Sequence, residues 1–86
     1  MWREKKHKDK GKLIKIYPKK EEQEQFLHWK KNDLWLFQGS AIDPDGREWW
    51  LLLNTFRRGG LRVEKKKHQG WKQAVESDAY VVEVLG

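Results

Sequence analysis

The sequence contains no cysteine, two prolines and one methionine among its 86 residues. Without cysteine the chain can form no disulfide, no thiolate metal site and no thiol nucleophile. Long apolar runs are also lacking: the stretch that follows the basic N-terminus is only LIKIYP, far short of the ~20 residues of a membrane-spanning helix. We therefore expect no membrane association and a cytoplasmic protein, either free or associated with the nucleoid.

Aromatic residues are plentiful. Six tryptophans contribute to an aromatic share of 13%, and hydrophobic and charged residues each make up 37%. This composition is too aromatic for a disordered chain, and its length suits one small core. We expect a single domain over residues 12–86, preceded by a flexible basic arm at 1–11 that has no apolar period.

Positive charge is concentrated in two blocks. Residues 1–20 carry nine Lys/Arg and two acids, and residues 57–72 carry seven Lys/Arg and one acid. The segments 21–56 and 73–86 are both net acidic. This segregation favours a localised binding surface for a polyanion over a uniform solubilising charge.

The apolar pattern predicts strands at 12–17, 34–42, 47–56, 61–65 and 79–85, with helices at 19–31 and within 70–78. Pro18, the glutamates that follow it and the lysines at 30–31 are typical of the start and end of a helix. The expected fold class is α+β: one small domain with a mainly antiparallel sheet of four to five strands, one or two short helices and the order β-α-β-β-β-α-β.

Asp43-Pro44-Asp45-Gly46 predicts the turn of a β-hairpin. If paired residue numbers sum to 90, Ala41 opposes Trp49, Gly39 opposes Leu51 and Phe37 opposes Leu53. That face, completed by Trp35, is the predicted core. Trp50 and Phe56 lie on the opposite face, which is either covered by the helix at 19–31 or exposed for binding.

Catalytic and metal-binding patterns are absent from the sequence. The three histidines lack metal-ligand spacing, Ser40 lacks the flanking glycines of a nucleophile elbow, and Arg57-Arg58-Gly59-Gly60 lacks the remainder of a phosphate loop. We expect no metal, no cofactor and no enzymatic activity. One enzymatic alternative is a metal-independent ribonuclease with His68 as general acid or base beside Lys65, Lys66 and Lys67.

Residues 43–71, DPDGREWWLLLNTFRRGGLRVEKKKHQGW, loosely resemble part of the single-stranded-DNA-binding transcriptional coactivator family, in which a strand, a basic turn, another strand and a Trp-bearing helix follow in order. The spacing before Trp71 is longer than in that pattern. The predicted helix at 19–31 and strand at 79–85 have no counterpart there. The resemblance therefore does not assign the chain to the family.

The leading hypothesis is a nucleic-acid-binding module, DNA or RNA, with single strands favoured. Cations would contact phosphates, and an exposed ring would stack on an unpaired base. The alternative is a protein-interaction module, such as a small viral or mobile-element factor that binds an acidic partner or forms a homodimer. The candidate binding residues are Arg57, Arg58, Arg62, Lys65, Lys66, Lys67, Lys72, Trp50, Phe56, Lys5, Lys6 and Lys8.

Overall fold

The computed structural model describes residues 1–19, 33–56, 59–78 and 80–86. These residues form six strands and one helix. The elements are β1 (Arg3–Lys5), β2 (Leu13–Pro18), β3 (Leu34–Ile42), β4 (Glu48–Asn54), β5 (Gly59–Glu64), α1 (Trp71–Ser77) and β6 (Tyr80–Val84).

All described strand pairs are antiparallel and belong to one sheet with the order β5-β4-β3-β2-β6. The nine-residue strand β3 organises this sheet because it pairs with β4 along one side and with two strands along the other. β2 pairs with the beginning of β3 over residues 34–36, and β1 pairs with its end over residues 40–42. The N-terminal segment is thereby joined to the end of β3 that leads into the hairpin turn.

The hairpin between β3 and β4 confirms the prediction from the DPDG turn. The Asp43 carboxylate accepts hydrogen bonds from the backbone N–H groups of Asp45 and Arg47, each at 2.9 Å. Gly46 takes a positive φ of 87°, which glycine adopts without steric cost. Next to the turn, Ala41 pairs with Trp49 and Ser40 with Trp50, as the predicted register requires.

Beyond Gly39 the predicted register is wrong. A β-bulge between Phe37 and Ser40 shifts the pairing by one residue, so Phe37 opposes Leu52 and not Leu53. Gly39 has a φ of 87°, and a Cβ on it would lie 3.2 Å from the backbone oxygen of Lys5. Because side chains alternate along a strand, one extra residue reverses the face presented by all that follow.

The bulge decides which side chains lie on each of the two faces of the sheet, here called inner and outer. The inner face carries Trp35, Phe37, Trp50 and Leu52, none of them more than 3% exposed. Helix α1 packs on it and adds its buried residues. The core cluster comprises Ile14, Ile16, Trp35, Phe37, Trp50, Leu52, Val63, Trp71, Ala74, Val75 and Val82. Trp49, predicted to belong to the core, lies half-buried on the outer face.

The predicted α+β class with four to five strands is wrong. Strands make up 51% of the described residues and helix 10%, so the fold is a six-stranded antiparallel sheet with one short helix. The predicted helix at 19–31, with its Phe26 and Trp29, lies outside the described residues apart from Lys19. The unpredicted strand is β1, whose residues are all exposed. Its sequence has no apolar pattern that would predict a strand. Backbone pairing with β3, which needs no apolar side chains, holds it in the sheet.

The predicted division into a mobile arm at 1–11 and a domain at 12–86 stays a prediction. Structurally, however, β1 lies within the sheet. A turn over residues 8–11 follows it and is closed by hydrogen bonds that include Lys10 N–H to the His7 carbonyl at 3.1 Å. This turn connects β1 to β2 while both remain paired with β3.

Candidate nucleic-acid interface

The segment after β1 packs directly on the inner face. The His7 ring is edge-on to Phe37, with a centroid distance of 5.1 Å, and to Trp50, at 5.5 Å. Its Nδ1 accepts a hydrogen bond from the backbone N–H of Asp9 at 3.0 Å. These contacts hold the first basic block against the core.

Asp9 joins this segment to α1. Its Oδ2 accepts a hydrogen bond from the indole N–H of Trp71 at 3.0 Å, and its Oδ1 lies 3.7 Å from Lys12 Nζ. The hydrogen bond from Trp71, assisted by the charges of Lys12, His7 and Lys8, holds the pKa of Asp9 below its usual value. The two basic blocks, which are 62 residues apart at this contact, are thus bonded to each other.

Glu48 makes the second connection between the blocks. Its carboxylate accepts hydrogen bonds from Lys5 at 3.2 Å, from Lys65 at 3.0 Å and from the Ser40 hydroxyl at 2.9 Å. Its side chain is 19% exposed. Burial acts to raise the pKa of Glu48, but the hydrogen bonds from Lys65, Ser40 and Lys5 outweigh it and lower this pKa.

Lysines from both blocks meet at two places: Lys5 and Lys65 at Glu48, and Lys8 and Lys72 at a groove beside α1. These four lysines and the lysines next to them in sequence are called the basic junction. Lys5 and Lys65 are paired with Glu48, whereas the other members are exposed and have no acidic partner among the described residues. The open groove beside α1, about 470 Å³ in volume, separates the loop at 7–9 from the helix, with Lys8 and Lys72 among its lining residues. The basic junction comprises Lys5, Lys6, Lys8, Lys65, Lys66, Lys67 and Lys72.

Arg62 lies on the outer face beside two aromatic neighbours, and it lines one cavity together with Lys66 of the basic junction. Its guanidinium carbon is 5.4 Å from the centroid of the Trp2 ring and 5.6 Å from that of Trp49. Trp49 is further fixed by a 2.9 Å hydrogen bond from its indole N–H to Asp43. That bond, together with backbone N–H groups, lowers the pKa of Asp43.

Trp50 cannot serve as the predicted stacking platform because it is 3% exposed. Lys65 Nζ lies 5.0 Å from the centroid of its ring, and His7 and Phe37 cover it further. The register shift at Gly39 explains the reversal, since it gives Trp50 to the inner face. Phe56 is 61% exposed, but it follows the end of β4 that is remote from Glu48 and the basic junction.

The remaining predicted residues are Arg57, Arg58 and His68. Arg57 and Arg58 lie outside the described residues. His68 is exposed in the loop before α1, with a φ of 66°. Its position does not test the ribonuclease alternative, which stays a prediction. In the described part of the chain, no group of three or more His, Asp or Glu residues is placed to bind a metal ion.

Sequence reasoning missed Trp2, His7, Asp9 and Trp49. The first three lie in the predicted arm, where no periodic pattern marks a contact with the core. The available signal was Asp9 followed by Gly11, a combination common in turns, and Gly11 does take a positive φ.

Comparison of the chain with protein-family models, curated proteins and solved structures finds no match. Within the described ranges, no helix has the length and apolar character needed to cross a membrane.

Proposed function

We propose that the chain binds nucleic acid through the basic junction. The supporting observation is that two basic blocks distant in sequence are bonded to each other through Asp9–Trp71 and through Glu48. Lysines brought together in this way neutralise phosphates and release counterions, which is the main source of affinity for a polyanion. A sheet platform with basic side chains is also a common form of single-strand binding.

Glu48 has a defined role in this proposal. It binds two lysines and so spaces them without repulsion, while leaving the other five junction lysines exposed. Phosphates would be contacted first by these unpaired lysines. Arg62, on the outer face, would extend the contact toward Trp2 and Trp49.

The test is the salt dependence of binding to a labelled single-stranded oligonucleotide between 50 and 200 mM salt. For about five phosphate contacts, the slope of log K against log salt should be near −3.5, and affinity should fall on the order of a hundredfold over this range. Absent or salt-independent binding contradicts the proposal.

Two matched variants locate the contact. Lys66→Gln with Lys67→Gln should make the slope less steep by about 1.4, the value for two lost phosphates. Lys15→Gln with Lys19→Gln removes the same charge from residues outside the basic junction and should leave the slope nearly unchanged. Equal effects from the two pairs would show that total charge, and not the junction, governs binding.

A second candidate is self-association through exposed apolar side chains. Leu53 on the outer face is 43% exposed, and Phe56 beyond the end of β4 is 61% exposed. Sedimentation across a concentration series should then detect a dimer that Leu53→Ser with Phe56→Ser abolishes. A monomer at every concentration would rule this candidate out.

A further inference from the structure

A cavity of about 240 Å³ lies at the β5 edge of the sheet, where side chains of β4 and β5 meet residues of α1. This is below the ~300–1,000 Å³ of sites for drug-sized ligands, so the cavity suits a group no larger than one ring system. Its walls combine planar and polar side chains. They include Trp49, Arg62, Lys66, Gln69, Ser77 and Asp78.

Trp49 and Arg62 supply planar groups to the wall of this cavity, and Trp2 lies behind Arg62 without lining the cavity itself. Arg62 is within 5.4 Å of the Trp2 ring centroid and within 5.6 Å of that of Trp49, and Trp2 is 38% exposed. Indole and guanidinium planes stack on nucleobases, and such stacking is worth ~1–3 kcal/mol per base. The two Trp neighbours restrict the guanidinium, which reduces the entropy lost when a ligand ring stacks on it.

A polar wall of the cavity carries an unsatisfied acceptor. The Ser77 hydroxyl donates its single proton to the backbone oxygen of Gln73 at 2.9 Å, so it can only accept from Gln69. The Gln69 group that contacts Ser77 at 3.4 Å is therefore Nε2. Its Oε1 is buried with no hydrogen-bond partner in the described part of the chain. Rotation of the Gln69 side chain would bring this acceptor to an N–H donor in the cavity.

Backbone groups add to this wall. No described strand pairs with the side of β5 opposite β4. Lys65 N–H donates to the Glu48 carbonyl at 3.0 Å, and alternation along an antiparallel ladder then turns the backbone N–H and C=O of Arg62 and Glu64 away from β4. These groups can bond to the edge of a ring lying along β5.

We infer that this cavity binds one unpaired nucleobase, stacked against Arg62 and Trp49 and hydrogen-bonded by Gln69. The inference rests on the proposed function in taking the base as part of a nucleic-acid strand. It also narrows that function, because a base paired in a duplex cannot enter the cavity. Single strands should be preferred for this reason.

Uncharged nucleosides test the cavity without any phosphate contact. Titration of adenosine and cytidine, followed by the NMR signals of the indole N–H groups, should shift the Trp49 signal and leave that of buried Trp35 unchanged. Gln69→Leu should weaken this binding at least about fivefold. If millimolar nucleoside leaves the Trp49 signal unshifted, the inference is overturned even where oligonucleotides bind. A shift without salt-dependent oligonucleotide binding would uphold the inference and reject the proposed function.

Arg62→Lys tests the link to single strands because it keeps the charge and removes the plane. It should weaken binding to a single-stranded oligonucleotide about tenfold and leave binding to the matching duplex and the salt slope unchanged. The matched control is Arg47→Lys, at an exposed arginine beside the hairpin turn. It should change binding to neither the single strand nor the duplex. Equal losses on single strand and duplex, or no loss for Arg62→Lys, would contradict the inference.

Discussion

The adjacent residues Trp49 and Trp50 lie on opposite faces of the sheet and differ in exposure. Trp50 is enclosed by His7, Phe37 and Lys65 on the inner face, whereas Trp49 contacts Arg62 on the outer face. The inner face also receives α1 and the loop at 7–9. Aromatic content alone thus does not identify a binding face; in this sheet, the register of one bulge decides which indole is accessible.

The largest expected effect is on the inner face. Phe37 is 0% exposed and stacks on Trp71 with ring centroids 4.4 Å apart. Phe37→Ala should lower the free energy of unfolding by about 3–5 kcal/mol. Leu53→Ala, on the outer face and 43% exposed, is the control and should cost less than about 1 kcal/mol. Urea denaturation compares them, and similar costs would contradict the assignment of the two faces.

The bulge that separates the faces can be tested with two glycines of equal φ. Gly39 and Gly46 both have a φ of 87°, but only Gly39 would bring a Cβ near another atom, 3.2 Å from Lys5 O. Gly46→Ala should cost about 1 kcal/mol and Gly39→Ala about 2–3 kcal/mol, the difference arising from the contact with β1. Thermal denaturation of both variants measures it. Equal costs would show that β1 is not held against the bulge.

Several elements of this fold could be predicted from the sequence, but the bulge could not. The DPDG turn, the strand predicted at 79–85 and the helix after Gly70 follow from turn residues and apolar periods. The structure has all three, with the strand at Tyr80–Val84. The bulge was not predictable because Gly39 fits equally well as a small residue opposite a large one. One residue of error then exchanged Trp49 and Trp50 in the predicted core.

For the candidate site, sequence identified the two basic blocks but not their contact. Lys5 and Lys65 meet at Glu48, and Trp71 meets Asp9, only because β1 pairs with the end of β3. Such long-range pairing has no local signature in a segment of exposed residues. Arg62 was singled out as a cation, but its aromatic neighbours could be found only in three dimensions.

A smaller effect should follow from Glu48→Gln at the polar end of the inner face. The variant releases Lys5 and Lys65 and removes one negative charge from the basic junction. Affinity for a single-stranded oligonucleotide at low salt should rise about three- to tenfold, and stability should fall by about 1 kcal/mol or less. Fluorescence anisotropy and urea denaturation give the two values. Unchanged or weaker binding would place the phosphate contacts elsewhere.

The smallest effect concerns the pH dependence of the contact between Asp9 and Trp71. Because the pKa of Asp9 is lowered in the folded protein from its usual 3.8, its stabilising contribution is present above that pH and is lost as pH falls through the lower folded value. Asp9→Asn should therefore be less stable than wild type at pH 7, and the difference should narrow below about pH 4. Thermal melts across this range test it. A gap that stays constant with pH would show that the charge of Asp9 does not contribute.

The pairing of β1 has a consequence for the folding of the β3–β4 hairpin. The partners of β1 in the described sheet are residues 40–42, and the bulge at Gly39 sets their orientation relative to residues 34–37. A hairpin misaligned by one residue would turn Ser40 toward the wrong side and leave Lys5 without its neighbour Glu48. We therefore expect β1 to pair only with a hairpin that contains the bulge, so that its backbone amides are protected from hydrogen exchange only in molecules with the correct register.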